Sequence, residues 1–288
     1  MLARWNPAGS VSVVTGASSG IGRELALMLA ERGSQVVAVA RRADRLDELQ
    51  RELRPRLQQQ PTNRDRGKIV PVVGDVTLAT TRAAALRMAD SLGDGRLDLL
   101  VNNAGVGAIG RFEAASPDRL RQVMEVNFFA PAEWTREAIP RFRRTIAAGG
   151  PPPVLCNVGS VLGHRAVPDK SEYCASKFAL HGLTDSLRAE LAGDRITVTL
   201  VSPSTTESEF FQSLVGTDAS ATSKSFGHWT PSRVARSTLA AIQARRAEVI
   251  LSLGGKALVY SDRLFPPVLN AILARGANPS EGTDGDDT

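Results

Sequence analysis

Seven short β-branched, apolar runs constrain this chain more than anything else in it. They fall at residues 11–15, 35–40, 69–73, 97–101, 154–158, 196–201 and 248–251. Segments of helical periodicity lie between most of them, at 21–32, 43–54, 80–92, 116–147 and 172–192, each long enough to cross a sheet face. Adjacent parallel strands need a crossover of about a dozen residues or more, so this alternation predicts an α/β fold with one doubly wound sheet. The expectation is a seven-stranded parallel sheet flanked by helices on both faces.

The rest of the sequence fits a single domain over residues 1–277, with no repeat and no interdomain linker. A chain of 288 residues that is 42% hydrophobic and 23% charged is long enough for one large core. The stretch 55–67, PRLQQQPTNRDRG, is polar and broken by Pro55 and Pro61, which predicts an extended surface loop. Residues 149–153, Gly-Gly-Pro-Pro-Pro, end a helix and launch the fifth strand. The Ser, Thr and Gly-rich segment from about 203 to 230 predicts a substrate loop or lid. Residues 254–275 have an apolar side and two central prolines, as a cover over the substrate cleft or a subunit contact would; a peripheral membrane contact is the less favoured reading. The polar, acidic stretch 278–288 reads as a disordered tail.

A net charge of +5 invites an anionic partner, but the basic residues are spread through helical segments that also carry Asp and Glu. They read as a solvated face, not as a nucleic-acid footprint. Cys156 and Cys174 form neither a metal-type cluster nor a disulfide framework, which suits a reducing compartment. No signal-type apolar region precedes the first strand and no apolar run of about 18 residues occurs, so a cytoplasmic, non-spanning protein is expected. His164, His181 and His228 show no metal spacing and read as bystanders, and no metal is expected.

The first strand runs into Thr15-Gly16-Ala17-Ser18-Ser19-Gly20-Ile21-Gly22 and then into a helix. In that context the glycines can supply a tight turn, a close backbone approach to a pyrophosphate, and close packing of helix on sheet. The free N–H groups of the helix start then face the anion. An ordinary glycine-rich turn is the alternative that the glycines alone leave open. The spacing Gly-x-x-x-Gly-x-Gly resembles that of the short-chain dehydrogenase/reductase family, and the resemblance runs from about residue 10 to about residue 204. It implies a Rossmann fold that holds a nicotinamide dinucleotide on Gly16, Ser18, Ser19, Gly20, Ile21 and Gly22.

In that family an acidic residue at the end of the second strand favours NAD over NADP by contacting the ribose and repelling a 2′-phosphate. Here the strand ends Val39-Ala40-Arg41-Arg42, with two guanidiniums and no carboxylate. A guanidinium fork pairs well with phosphate, so NADP(H) is expected in preference to NAD(H), with Ser18 adding a hydroxyl. The alternative is that Arg41 and Arg42 merely begin a basic helix that carries its own carboxylates. The resemblance also assigns Asp75 and Val76 to the adenine. It assigns Asn103, Ala104 and Gly105 to the sheet end beside the nicotinamide ribose.

Within GSVLGHRAVPDKSEYCASK, Ser160 stands thirteen residues before Tyr173, and Lys177 stands four after it. Four residues on a helix is about one turn, so Tyr173 and Lys177 share a face. A phenol titrates near 10 and a nearby ammonium favours its anion, so Lys177 is expected to make Tyr173 acidic enough for acid/base work. Ser160 is expected to donate to the substrate oxygen where negative charge develops. The resemblance adds that Lys177 and Tyr173 contact the dinucleotide. It also makes Asn127, in Met124-Glu125-Val126-Asn127, the fourth member of a catalytic set, retaining a water that links the lysine to solvent. A polar side chain in that apolar stretch calls for a buried partner.

Taken singly, each of these residues has a plain structural reading. Together they imply NADP(H)-dependent interconversion of an alcohol and a ketone or aldehyde by hydride transfer, with reduction favoured where NADPH predominates. The partner is then a small-molecule carbonyl or alcohol, and the family resemblance implies a homodimer or homotetramer. A catalytically silent nucleotide-binding regulator on the same fold is the alternative. One departure stands out. Where the family carries Pro-Gly and then a Thr, this chain reads Pro203-Ser204-Thr205-Thr206-Glu207-Ser208. Ser208 keeps a hydroxyl and Thr206 offers a backbone N–H, but Ser204 would strain the turn if its φ were positive.

Overall fold

The strands β1 (Val11–Thr15), β2 (Gln35–Ala40), β3 (Lys68–Val73), β4 (Leu99–Asn102), β5 (Val154–Val158), β6 (Thr197–Ser202) and β7 (Glu248–Ile250) pair in parallel, in the order β3-β2-β1-β4-β5-β6-β7. This computed structural model describes residues 2–58, 67–206, 209, 214–216 and 229–277. The helices are α1 (Gly20–Glu31), α2 (Ala43–Gln58), α3 (Ala79–Gly93), α4 (Pro117–Met124), α5 (Ala130–Ala147), α6 (Ser171–Glu190), α7 (Pro231–Gln243), α8 (Leu253–Leu264) and α9 (Pro266–Ala277). None among the described residues is long and apolar enough to cross a membrane.

The strands are apolar on both faces because both are covered. Val14, Leu99, Val101 and Cys156 join one core with Leu25 and Leu29 of α1, Leu46 of α2 and Leu239 of α7. Their neighbours Val13, Leu100 and Leu155 join the other, with Leu86 of α3, Trp134 and Phe142 of α5, and Leu187 of α6. The chain winds outward from β1 in both directions. The connections that leave β1 and β4 therefore run to opposite faces of the sheet, and a crevice opens between them, as in doubly wound sheets generally.

Four differences from the sequence expectation bear on the architecture. The loop expected over 55–67 starts later, because α2 runs through Pro55 to Gln58. Its last turn is tied down by Arg56, which bonds Glu31 of α1 at 2.8 Å and also pairs with Glu52. These contacts offset the one backbone bond the proline removes near the helix end. Residues 59–66 lie outside the described residues. The fourth strand starts at Leu99, not 97, because Leu97 gives its N–H to Thr145 Oγ1 at 3.0 Å and accepts from the same hydroxyl at 2.8 Å. The crossover before β7 holds α7, which the sequence reading left unassigned; Thr230 caps it by accepting from Arg233 N at 3.4 Å, and Pro231 opens it.

The fourth difference matters for the site. The single helix expected over 116–147 is divided by a π-helical turn at Glu125–Phe129, which joins α4 to α5. That turn buries Asn127, whose Oδ1 accepts from Val106 N and whose Nδ2 donates to Val106 O, both at 2.9 Å, and to Ser176 Oγ at 3.0 Å. One amide thus joins the segment after β4 to α6, the kind of place where π turns are commonly found.

The start of α6 is also anchored by charge. Arg119 of α4 reaches Glu172 at 2.7 Å, and the two side chains are only 5% and 1% exposed. Breaking such a pair strands a buried charge, at a cost of about 3–5 kcal/mol. Arg119→Ala is accordingly expected to lower stability by that amount in urea unfolding. Glu172→Gln, which keeps a polar group facing the guanidinium, is expected to cost less. A loss below about 1 kcal/mol in Arg119→Ala would show that the ion pair does not anchor α6.

Candidate active site

A cavity of about 1400 Å³ opens along the carboxyl edge of the sheet. A single ligand usually fills roughly 300–1,000 Å³, so this one has room for a dinucleotide and a second molecule. At one end lies the glycine turn. Gly16 and Gly20 have φ of +69° and +58°, left-handed values that favour glycine. Ser19 precedes α1 without capping it by its side chain, so the helix's first N–H groups are left to face the cavity. Gly22 faces inward: a Cβ there would lie 2.4 Å from both Asn103 Nδ2 and Gly16 O.

The end of β4 fixes that turn. Thr15 Oγ1 accepts from Asn103 N at 3.0 Å and Ala104 N at 3.1 Å, while Asn103 Nδ2 donates to Thr15 O at 2.9 Å and Gly16 O at 3.2 Å. Asn103, Ala104 and Gly105 all line the cavity. Asp75 and Val76 line it too. Asp75 Oδ1 accepts from Thr77 N at 2.9 Å, and Val76 is held by Trp134 Nε1, which donates to its carbonyl at 2.9 Å.

Arg42 brings its guanidinium to Ser18 Oγ at 3.1 and 3.3 Å, which unites two residues expected to share one phosphate. Arg41 stands beside them, 70% exposed and only 3.8 Å from Asp75. A third group, missed in the sequence, completes the cradle. Glu209 accepts from Arg42 Nη1 at 2.7 Å, lies 3.7 Å from Arg45, and hydrogen-bonds with Ser19. The hydrogen bond with Arg42 leads in holding its carboxyl below the usual range, against a small cost of burial. A carboxylate seated on guanidinium and glycine turn together shows that the cradle accepts an anion, and in this respect the residues present fit a dinucleotide phosphate. Nothing in the sequence marks Glu209, which is 167 residues from Arg42.

The other end holds the residues expected to carry the chemistry. Ser160, Tyr173 and Lys177 line the cavity, and Asn127 sits behind its wall. Ser160 Oγ accepts from Leu162 N at 3.1 Å and shares a hydrogen bond with Tyr173. Lys177 Nζ donates to Val158 O at 3.0 Å and lies 5.8 Å from the centroid of the Tyr173 ring. The acidic phenol expected from this proximity is not what the protein's own groups produce. Burial pushes Tyr173 up to about 12, and the bond with Ser160 only partly opposes it. Burial also pulls Lys177 down to about 8. Desolvation outweighs the ammonium's field.

After β6, Pro203, Ser204 and Thr206 line the cavity, and Ser208 lies outside the described residues. The positive-φ residues other than glycine are Asp94, Asp169, Arg195, Arg245 and Ser252 among the described ones, so Ser204 does not strain its turn. Leu258 of α8, with Leu269 and Leu273 of α9, lines the cavity as well. Two of the histidines expected to be bystanders have partners: His164 and His181 lie with ring centroids 4.3 Å apart, close to Glu248 and outside the cavity wall. His228 lies outside the described residues.

Fold and site together describe a dinucleotide-binding oxidoreductase. The family model described as short chain dehydrogenase matches residues 10–219. The chain is 31% identical over 276 residues to the "Uncharacterized oxidoreductase YxnA" of Bacillus subtilis, covering 92% of this chain and 71% of that one. It is equally similar, at 31%, to "Dehydrogenase/reductase SDR family member 7B" of Bos taurus, covering 93% and 81%. Among solved structures, a short chain dehydrogenase from Burkholderia cenocepacia in complex with NADP superposes with a TM-score of 0.73 at 26% identity, covering 93% of this chain and 99% of that one. A 3-ketoacyl-(acyl-carrier-protein) reductase from Brucella melitensis complexed with NADH gives 0.71 at 25%, covering 85% and 97%. The chain belongs to the short-chain dehydrogenase family and is an NAD(P)-dependent oxidoreductase of that type.

Gly22 offers a test of the cradle that needs no substrate. Overpacking costs about 1–3 kcal/mol, and the clash here is with backbone and with the amide that shapes the turn. Gly22→Ala is expected to lower Tm and to weaken dinucleotide binding at least tenfold by fluorescence titration, whereas Gly182→Ala, with open space around it, should do neither.

Proposed function

We propose that this protein is an NADP(H)-dependent enzyme that interconverts an alcohol and a ketone or aldehyde of a bulky apolar molecule, with Tyr173 as the acid/base. The observation that carries the reading is the position of Ser160, Tyr173 and Lys177 in the wall of the same cavity that ends in the glycine turn and Arg42. A bound dinucleotide supplies hydride to the substrate carbon in reduction and accepts it in oxidation. In reduction, Tyr173 hands its hydroxyl proton to the substrate oxygen, and Ser160 donates a hydrogen bond to that oxygen as negative charge develops. Lys177, held by the carbonyl of Val158, keeps a positive charge near the ring and lowers the cost of the phenolate. In oxidation the same groups run in reverse.

A raised phenol suits the acid role, because Tyr173 holds its proton until transfer. Asn127 does not reach the substrate side; it positions α6 through Ser176 and the segment after β4 through Val106. Apolar substrates are favoured because Leu258, Leu269 and Leu273 face the cavity beyond the catalytic groups. NADP is favoured over NAD because Arg42 and Ser18 meet around an anion and no acidic residue ends β2.

NADPH consumption with a panel of apolar ketones and aldehydes tests the reaction. Tyr173→Phe is expected to lower kcat by about 10²-fold or more. Reduction requires Tyr173 protonated, which holds below about 12, and Lys177 charged, which holds below about 8. The value of kcat/KM for NADPH should therefore fall as pH rises past about 8, and not near 10 as an ordinary lysine would give. No turnover with any carbonyl, or full activity in Tyr173→Phe, would leave only a nucleotide-binding regulator.

The cofactor preference has its own test. Glu209→Gln removes the carboxylate that competes for Arg42 and should tighten NADPH binding several-fold. Arg42→Ala should weaken NADPH binding much more than NADH binding. Tighter binding of NADH than of NADPH by the unaltered protein would overturn the NADP assignment.

A further inference from the structure

Outside the cavity wall, three side chains converge from separate elements: His164 from the turn after Ser160, His181 from α6, and Glu248 from the start of β7. One ligand atom from each lies within 4.8 Å of the other two. The close contacts among them are not hydrogen bonds that satisfy both sides. Glu248 Oε1 is buried and has no hydrogen-bond partner, although it lies 3.3 Å from His164 Nε2. That nitrogen is engaged by Ser202 Oγ at 2.9 Å, and the other nitrogen of the ring, Nδ1, is buried with no partner at all. The His164 side chain is 2% exposed, so water does not make up the difference.

His181 is arranged in a complementary way. Its Nδ1 lies 3.1 Å from the carbonyl of Gly163, which can only accept, so Nδ1 carries the hydrogen and a neutral ring keeps its lone pair on Nε2. That Nε2 faces a second carboxylate, Asp185 Oδ2, at 3.4 Å. A lone pair on His181 Nε2 thus faces Asp185, while Glu248 Oε1 lies unpaired beside His164 Nε2.

We propose that His164, His181 and Glu248 bind a divalent cation of the zinc class, with Asp185 beside His181 as a further oxygen donor. Two imidazoles and a carboxylate form a known zinc donor set. Zinc bonds of about 2.0–2.2 Å in a tetrahedron separate neighbouring ligand atoms by about 3.3–3.6 Å, and the 3.3 Å between His164 and Glu248 is already there. The hydrogen bond from His181 Nδ1 to Gly163 is the kind of second contact that fixes the ring of a metal-bound histidine. Arg263 opposes positive charge at His164 and Asp185 favours it, so the Glu248 carboxylate is the donor that must balance the ion. Glu248 is 32% exposed on the edge strand, which gives an ion access.

The bound cation would join the turn after Ser160 to α6, which carries Tyr173 and Lys177, and to β7. Its role is therefore to lock the two halves of the catalytic set together, and the site stands whether or not the hydride chemistry does.

The experiment uses the full chain stripped of metal with a chelator and titrated with zinc chloride by calorimetry, then with Co²⁺ while visible absorption is followed. One equivalent of zinc, a rise in Tm on binding, and the intense visible bands of four-coordinate Co²⁺ are expected. His181→Ala and Glu248→Gln should each weaken zinc binding at least tenfold while leaving dinucleotide binding unchanged, which shows that each variant is folded. Should His181→Ala fail to fold, Glu248→Gln on the exposed edge still decides the matter. Absence of zinc binding, or an affinity unchanged in Glu248→Gln, overturns the proposal; the cluster is then a hydrogen-bonded pair of histidines in which a proton on His181 serves Asp185.

Discussion

The hydroxyl of Thr15 is where the fold becomes a site. Strands β1 and β4 lie side by side but lead to helices on opposite faces, so nothing in the sheet itself dictates how their ends meet. Thr15 Oγ1 settles it by accepting from two successive N–H groups of the β4 end and donating to Val101 O at 3.2 Å. Asn103 returns the contact to the glycine turn. Because the turn lies this close to the β4 end, Gly16 and Gly22 must lack side chains, and the start of α1 is left uncapped and facing the crevice. The anion cradle is a consequence of how two strand ends are tied.

The catalytic end is governed by burial. Tyr173 and Lys177 share a helix face, as a four-residue spacing requires, yet each is shifted towards its neutral form. The helix that carries them is held from outside: Arg119 of α4 pairs with the buried Glu172 in its first turn, and Asn127 in the π turn donates to Ser176, one residue before the lysine. At neutral pH Tyr173 keeps its proton, and Lys177, pulled only to about 8, remains mostly charged.

What was legible in the sequence is what local spacing encodes. Strand periodicity, the glycine turn and the Ser160, Tyr173, Lys177 spacing each lie within a short window, and the sheet and the lined cavity follow from them. Pro55 misled because the ion pairs that carry the helix past it come from α1 and from one turn back. Glu209 was invisible because its partner Arg42 is remote in sequence. The effect of burial on Tyr173 is not legible for a related reason: proximity to an ammonium can be read from spacing, whereas desolvation depends on everything that packs around the ring. His164 and His181 failed every metal spacing pattern because Glu248 arrives from the far edge of the sheet.

The turn that follows Ser160 gathers more of the molecule than its length suggests. Ser160 opens it, and Gly163 presses against the backbone of Lys177, so closely that a Cβ would lie 2.7 Å from that carbonyl. His164 engages Ser202 at the end of β6. Arg165 reaches Asp262 of α8 at 2.6 Å and Asn270 of α9 at 2.5 Å, which ties both cavity-lining helices to the same short turn. The two cavity-lining helices, the helix bearing Tyr173 and the Ser160 hydroxyl therefore share one support.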